Sequence, residues 1–198
     1  MKDQWYGDKR DLVKWGALLI LAEQHKAGKI LQVAYLRPST YGTLDIGGQS
    51  HALPNSVRDH FRNVRHIRGL RAEPPVEIEV VDRPFAERSA YTEAVVQTVV
   101  GETEREPWVI FLDPDTGLAP PKPGLEHVLD EEVVRIWGAM HQGDLLAVYQ
   151  HQTNRRGDPW IEQKREQLEG VLRLPSGSVR IASGIAIAGD VVLLYCAK

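Results

Sequence analysis

Residues 108–117 read Trp108-Val109-Ile110-Phe111-Leu112-Asp113-Pro114-Asp115-Thr116-Gly117, five large apolar residues that stop at two carboxylates, a proline and a glycine. A run that is apolar at consecutive rather than alternate positions belongs to a strand covered on both faces, as in parallel sheets. The stretch therefore predicts a central strand that delivers Asp113 and Asp115 to the rim of a sheet. In open α/β sheets ligands collect at that rim, where strand C-termini open into loops. Asp-Pro-Asp-Thr-Gly is also the composition of a simple turn, and both readings stand on the residues alone.

Working outward, Asp144-Leu145-Leu146-Ala147-Val148-Tyr149-Gln150-His151 has the same build, a buried strand ending in polar groups. Ile30 to Leu36 reads as a short strand broken by Arg37-Pro38-Ser39-Thr40-Tyr41-Gly42, and Val76 to Val81 alternates apolar with acidic residues before Asp82. Between them lie helical periods. Asp8 caps a helix to about Lys26 with Leu12, Trp15, Leu19 and Ala22 inward and Gly28 as its stop. Asn55 or Ser56 caps another to about Gly69. Three more run from about Ala86 to Gly101 with Ala90, Ala94, Val95 and Val99 inward, from Leu129 to about His141, and from Trp160 to about Leu172. Thr43 to Pro54 has no clear period and reads as a loop. Val179–Ala188 and Val191–Cys196 close the chain as two strands joined tightly at Gly189-Asp190. Alternation followed by a hairpin predicts a three-layer, Rossmann-like α/β fold, its sheet mostly parallel with a C-terminal antiparallel hairpin.

Length and composition narrow the class. The 198 residues suit a single domain spanning 1–198. With 42% hydrophobic and 26% charged residues and a net charge of -3, global charge gives no case for nucleic acid, which must rest on local patches. The single cysteine, Cys196, excludes an internal disulfide or a multi-cysteine metal site and reads as core filler. No apolar run reaches the roughly 20 residues of a membrane span, and the charged start is unlike a signal peptide, so a cytoplasmic protein without membrane contact is expected.

The topology gathers candidate residues at one rim: Arg37, Ser39 and Tyr41 after the first strand, Asp82 after the second, Asp113 and Asp115 after the third, and His151 after the fourth. An acid after the second strand suits a ribose diol. An unperturbed imidazole titrates near neutrality, so a histidine at the position of His151 suits a general base or metal ligand, and is as readily a structural histidine. Arg155 and Arg156 stand where a loop clamps a phosphate, and Arg58, Arg62 and Arg65 recur at about one helical turn, with Arg68, Arg71, His60 and His66 near them. Each basic set is either a nucleic-acid footprint or a solvated face. His25, His51 and His127 show no ligand spacing, and no Gly-x-Gly-x-x-Gly or phosphate-binding Gly-x-x-x-x-Gly-Lys appears.

Three segments carry a family resemblance: Gly7-Asp8-Lys9-Arg10-Asp11-Leu12-Val13-Lys14, Leu112-Asp113-Pro114, and Ser183-Gly184-Ile185. They resemble the N-terminal Gly-Asn-His-Ala-Asp-Val-Leu-Lys segment, the start of the Asp-Pro-Pro-Tyr motif and the C-terminal strands of Rossmann-like methyltransferases. The type is that of the adenine-N6 enzymes of 23S ribosomal RNA and the related three-Cys-motif partner proteins. The resemblance implies S-adenosylmethionine as cofactor, held by Asp8, Lys14, Arg37, Ser39, Tyr41 and Asp82, with Asp113 as proton acceptor or amine anchor. Asp115 and Thr116 replace the family's second proline and aromatic residue, so any ring that stacks on a base must come from Tyr149 or Trp160. The first loop has one glycine where the family has several.

Two other readings follow from the residues. Asp113 and Asp115, with Glu79 or His151, provide oxygen and nitrogen donors for a divalent metal in a nuclease or phosphohydrolase, with Lys122 or the arginines near the phosphate. Alternatively the glycine-poor loop belongs to a Rossmann-like module that binds a partner without chemistry. Neither the methyl acceptor nor the oligomeric state can be read from the sequence.

Overall fold

The structure, a computed structural model, describes residues 7–37, 43–52, 54, 56–57, 64–101, 105–152 and 159–198. The elements in chain order are α1 (Lys9–Gln24), β1 (Lys29–Val33), β2 (Thr43–Ile46), β3 (Gln49–Ala52), a 3-10 helix (Val64–Gly69), β4 (Glu77–Val81), α2 (Arg88–Val100) and β5 (Trp108–Leu112). There follow β6 (Gly117–Leu118), β7 (His127–Val128), α3 (Asp130–Ala139), β8 (Leu145–His151), α4 (Trp160–Leu172), β9 (Arg180–Gly184), α5 (Ile185–Ala188) and β10 (Gly189–Ala197).

Six strands form one sheet in the order β4-β1-β5-β8-β10-β9. The first four are mutually parallel, and β10 runs antiparallel to both β8 and β9. The expected α/β architecture is therefore present. From β1 the chain moves outward to β4, crosses back over β1 to β5, and then continues the other way to β8. That reversal places a topological switch point between the C-terminal ends of β1 and β5, where such sheets bind ligands.

Alternate strand residues face opposite layers. Ile30, Ala34, Val109, Phe111, Leu145 and Ala147 pack with Trp15, Leu18 and Leu21 of α1. Leu31, Val33, Ile110, Leu112, Leu146 and Val148 pack with Val95, Val99, Val133, Ile136 and Leu168 of the other helices. The start of β5 is tied to β8 by buried Asp144, which accepts from the Trp108 amide at 2.8 Å and from Arg105 at 2.8 and 2.7 Å. Cys196 is buried in β10, and burial pushes its thiol up to about 12.

Several local expectations are corrected. Thr43–Ala52 is a hairpin rather than a loop, because Gly47 and Gly48 both adopt positive φ, +63° and +80°, the geometry of a two-residue turn that matches strand twist. Val64–Gly69 is a 3-10 helix rather than the end of an α-helix. The inward face of α1 holds Trp15 and Ala22 as expected, with Leu19 half-buried, and adds Val13, Lys14, Leu18 and Leu21, while Leu12 is exposed. In α2 it is Tyr91, Thr92, Val95 and Val99, with Ala90 outside. The closing strands are joined by α5 rather than a tight turn at Gly189-Asp190, so Asp190 lies within β10. No helix among the described residues is long and apolar enough to cross a membrane.

His127 in β7 links the loop to the fold: its Nδ1 accepts from the Gly124 amide at 3.0 Å. Burial lowers its pKa, assisted by the charges of Lys164 and Arg88, against the pull of Glu126. The unfolded chain therefore binds more protons than the folded one below about pH 6.5, and stability present above that pH is lost as pH falls. His127→Asn keeps an acceptor for Gly124 and removes the titration. The melting temperature of the wild type should fall more between pH 7 and pH 5 than that of the variant, as thermal melts across that range would register.

Candidate functional site

Asp113 leaves β5 with its amide donating to the Val33 carbonyl at 3.0 Å, so its side chain stands over the crevice between β1 and β5. It is almost wholly buried, and it is answered from two directions. Lys14 Nζ lies 3.3 Å from each carboxylate oxygen, and Gln32 Nε2 donates to Oδ2 at 2.8 Å. Lys14 reaches this point because Asp8 caps α1, its side chain accepting from the Arg10 and Asp11 amides, which sets the helix's first turn against the sheet. Asp11, one turn before, pairs with Lys14 at 2.6 Å. Burial pulls the Lys14 ammonium down, but Asp113 and Asp11 outweigh it, so its pKa stands above the ordinary value. Burial raises the Asp11 carboxyl, partly opposed by Lys14.

Above this floor is a cavity of about 470 Å³ lined by Asp8, Arg10, Lys14, Arg37, Asp113, Pro114, Asp115, Thr116, Glu126, Tyr149 and His151. Arg37 and Asp115 form an ion pair across the switch point, joining the loop after β1 to the loop after β5. Arg10 spans Asp8 at 3.1 Å and Asp190 at 2.6 Å. His151 has Nδ1 2.8 Å from the Gln152 carbonyl, so that nitrogen carries the proton it donates. Nε2 faces Asp190 Oδ2 at 3.3 Å. The Tyr149 ring faces Lys14 with the ammonium 5.1 Å from its centroid, and burial together with the charge of Asp113 raises its hydroxyl pKa. Every cation of the cleft meets a carboxylate, so the surface is strongly polar and locally balanced.

The structure thus brings together Asp8, Lys14, Arg37, Asp113, Asp115 and His151. Asp82 lies outside the cleft lining, at the sheet edge, where Arg65 and Arg68 pair with it at 2.6 and 3.4 Å. Arg65 is therefore part of an ion-pair cluster. Ser39, Tyr41, Arg58, Arg62, Arg155 and Arg156 fall outside the described residues. Trp160, the first residue of α4, packs in the core with residues of α2 and α3, which leaves Tyr149 as the aromatic ring of the cleft among the described residues.

No protein-family profile matches the chain, and no curated protein does. Among solved structures, a DUF574 family protein from Streptomyces avermitilis MA-4680 is similar, with 11% identity and a TM-score of 0.45 over 96% of this chain and 82% of that one.

Sequence reasoning missed Arg10, Gln32, Glu126 and Asp190. Gln32 had a signal, a lone amide in the apolar run Ile30-Leu31-Gln32-Val33. Asp190 had the opposite one, since Gly-Asp reads as a turn. The tip of the Asp113–Gly117 loop is held by Gln150, whose Oε1 accepts from the Leu118 amide at 2.9 Å while Nε2 donates to the Thr116 and His151 carbonyls. Gly117 sits directly against that amide with φ +114°, and a Cβ there would come within 2.3 to 2.8 Å of three Gln150 atoms. Gly117→Ala should cost about 2–3 kcal/mol through strain and displacement of the amide, readable by urea denaturation.

Proposed function

We propose that the switch-point cleft is an S-adenosylmethionine site and the protein an S-adenosylmethionine-dependent methyltransferase acting on a nucleic acid base. The observation that carries this reading is the contact of Lys14 with Asp113. It joins the two segments on which the methyltransferase resemblance chiefly rests, 99 residues apart in the chain, into one floor at the place where the fold collects ligands.

The donor set fits such a cofactor. Its amino-acid end carries both charges, and the cleft presents carboxylates and cations side by side in Asp8, Arg10, Lys14 and Arg37. Tyr35, just before the glycine-poor first loop, does not obstruct the floor. That residue adopts φ +46°, and its ring packs edge-on against Phe85 and tilted against Tyr91, each 5.3 Å away, in the core layer opposite α1. When bound, the cofactor supplies an electrophilic methyl group. Asp113, oriented by Lys14 and Gln32, accepts a hydrogen bond from the amine to be methylated. Tyr149 offers an aromatic face in place of the one Thr116 lacks. His151 Nε2 takes up the proton released from the amine, beside Asp190.

Isothermal titration with S-adenosylmethionine and with its demethylated product tests the cofactor. Binding in the range of about 1 μM to 1 mM is expected. Asp8→Asn preserves the helix cap while removing a charge of the cleft, and should weaken binding about tenfold at unchanged melting temperature. Absence of heat at millimolar ligand overturns the proposal. Transfer of labelled methyl from the cofactor to RNA or DNA, abolished by Asp113→Asn, tests the acceptor.

A further inference from the structure

The flank of the sheet away from β4 is unused by the cleft. There β9 pairs with β10 on one side and has no strand on the other among the described residues. The opposite edge is protected: the 3-10 helix lies beside β4, and the Arg68 guanidinium donates to the Val80 carbonyl at 3.1 Å. β9 has no proline and one charged residue, Arg180. An open edge of this kind presents unpaired N–H and C=O groups, whose natural complement is another edge strand.

Beside that edge α1 and α5 leave large aliphatic side chains in solvent, with Leu12 66% exposed, Ile20 56% and Ile185 80%. A groove of about 510 Å³ runs between α1 and β9, and none of its lining residues is charged, in a chain where 26% of residues are.

We propose that a second copy of this chain covers this flank, two β9 strands pairing antiparallel across a two-fold axis through Ala182, so that the two six-stranded sheets run on as one. A two-fold contact requires a surface complementary to itself. An edge strand laid antiparallel against its own copy meets that condition through the backbone alone. In this register Ala182 faces Ala182, Ile181 faces Ser183, and Arg180 faces Gly184, which has no side chain, so the two arginines stay apart. The uncharged groove lets two identical surfaces approach without like-charge repulsion, and the exposed aliphatics of α1 and α5 close over the join.

Sedimentation at about 100 μM, above the micromolar Kd of a weak standard-size interface, should find a dimer. Ile20→Asp combined with Ile185→Asp places charges on exposed positions outside the cleft and should yield a monomer that melts as the wild type does when diluted below its dimer Kd. If the double variant melts lower, Ser183→Lys, exposed on β9, gives the same reading. In the wild-type dimer those amides of β9 that face away from β10, every second one along the strand, should exchange at least tenfold more slowly than in the monomeric variant. A wild-type monomer at that concentration, a variant that stays dimeric, or equal exchange in the two forms overturns the proposal.

Discussion

The ion pair between Lys14 and Asp113 is the constraint on which the rest of the structure depends. Asp113 and Lys14 are both almost fully buried, and taking either charge out of water alone costs several kcal/mol, about 3–5 when one partner of a buried pair is removed. α1 must therefore lie where its ammonium meets the end of β5, and no sliding of the helix by a turn preserves the contact. Because such pairs gain little over an apolar substitute, the pair is better understood as a device that fixes register and geometry than as a source of stability. The neighbours are arranged to complete it. Gln32 turns its amide nitrogen to Asp113, Asp11 takes a further share of the Lys14 charge, and Tyr149 lays its ring against the ammonium.

Around that fixed point the two loops of the switch point are pinned from opposite sides. Gln150, itself fully buried, gives the Leu118 amide its acceptor and adds a second donor to the Thr116 carbonyl, which the His151 amide also meets. Arg37 and Asp115 then strap the loops across the crevice. The consequence is a rim with a rigid floor and charged walls. Electrostatic groups held in place before a ligand arrives lose no free energy in reorganising around it.

What could be read from the chain followed from burial. Trp108–Leu112 and Leu145–Tyr149 are apolar because both faces of the central strands are covered, and that pattern was sufficient to place Asp113 and His151 at one rim. The α1 face was legible only in part: the apolar period marked Trp15 and Ala22, but it carries no signal for Lys14 and Asp11, polar residues that are buried because each answers the other's charge. The β2–β3 hairpin did carry its signature, Gly47-Gly48 between two four-residue runs, but all eight strand residues are exposed, so no alternation marked it. Ile185-Ala186-Ile187-Ala188 read as strand from its aliphatic content, while the chain instead coils back there so that β10 can lie between β8 and β9. That coil brings Asp190 to Arg10 and His151, a meeting of residues 180 positions apart that no local pattern encodes.

The same pairing bears on the divalent-metal reading of Asp113 and Asp115. A hard cation takes most of its binding energy from carboxylate oxygens that are otherwise hydrated or free. Here Asp113 faces Lys14 and Asp115 faces Arg37, and Glu79 points away at the sheet edge, where Lys29 binds it at 2.8 Å. A metal at the rim would have to displace two cations, one of them with almost no exposure to water, and leave both without compensating charge. Among the described residues no three acidic, histidine or cysteine side chains are placed to offset that loss. The carboxylates of the cleft are thus committed to organising cations, and what the site retains for a ligand is a balanced set of opposite charges around a single oriented acceptor.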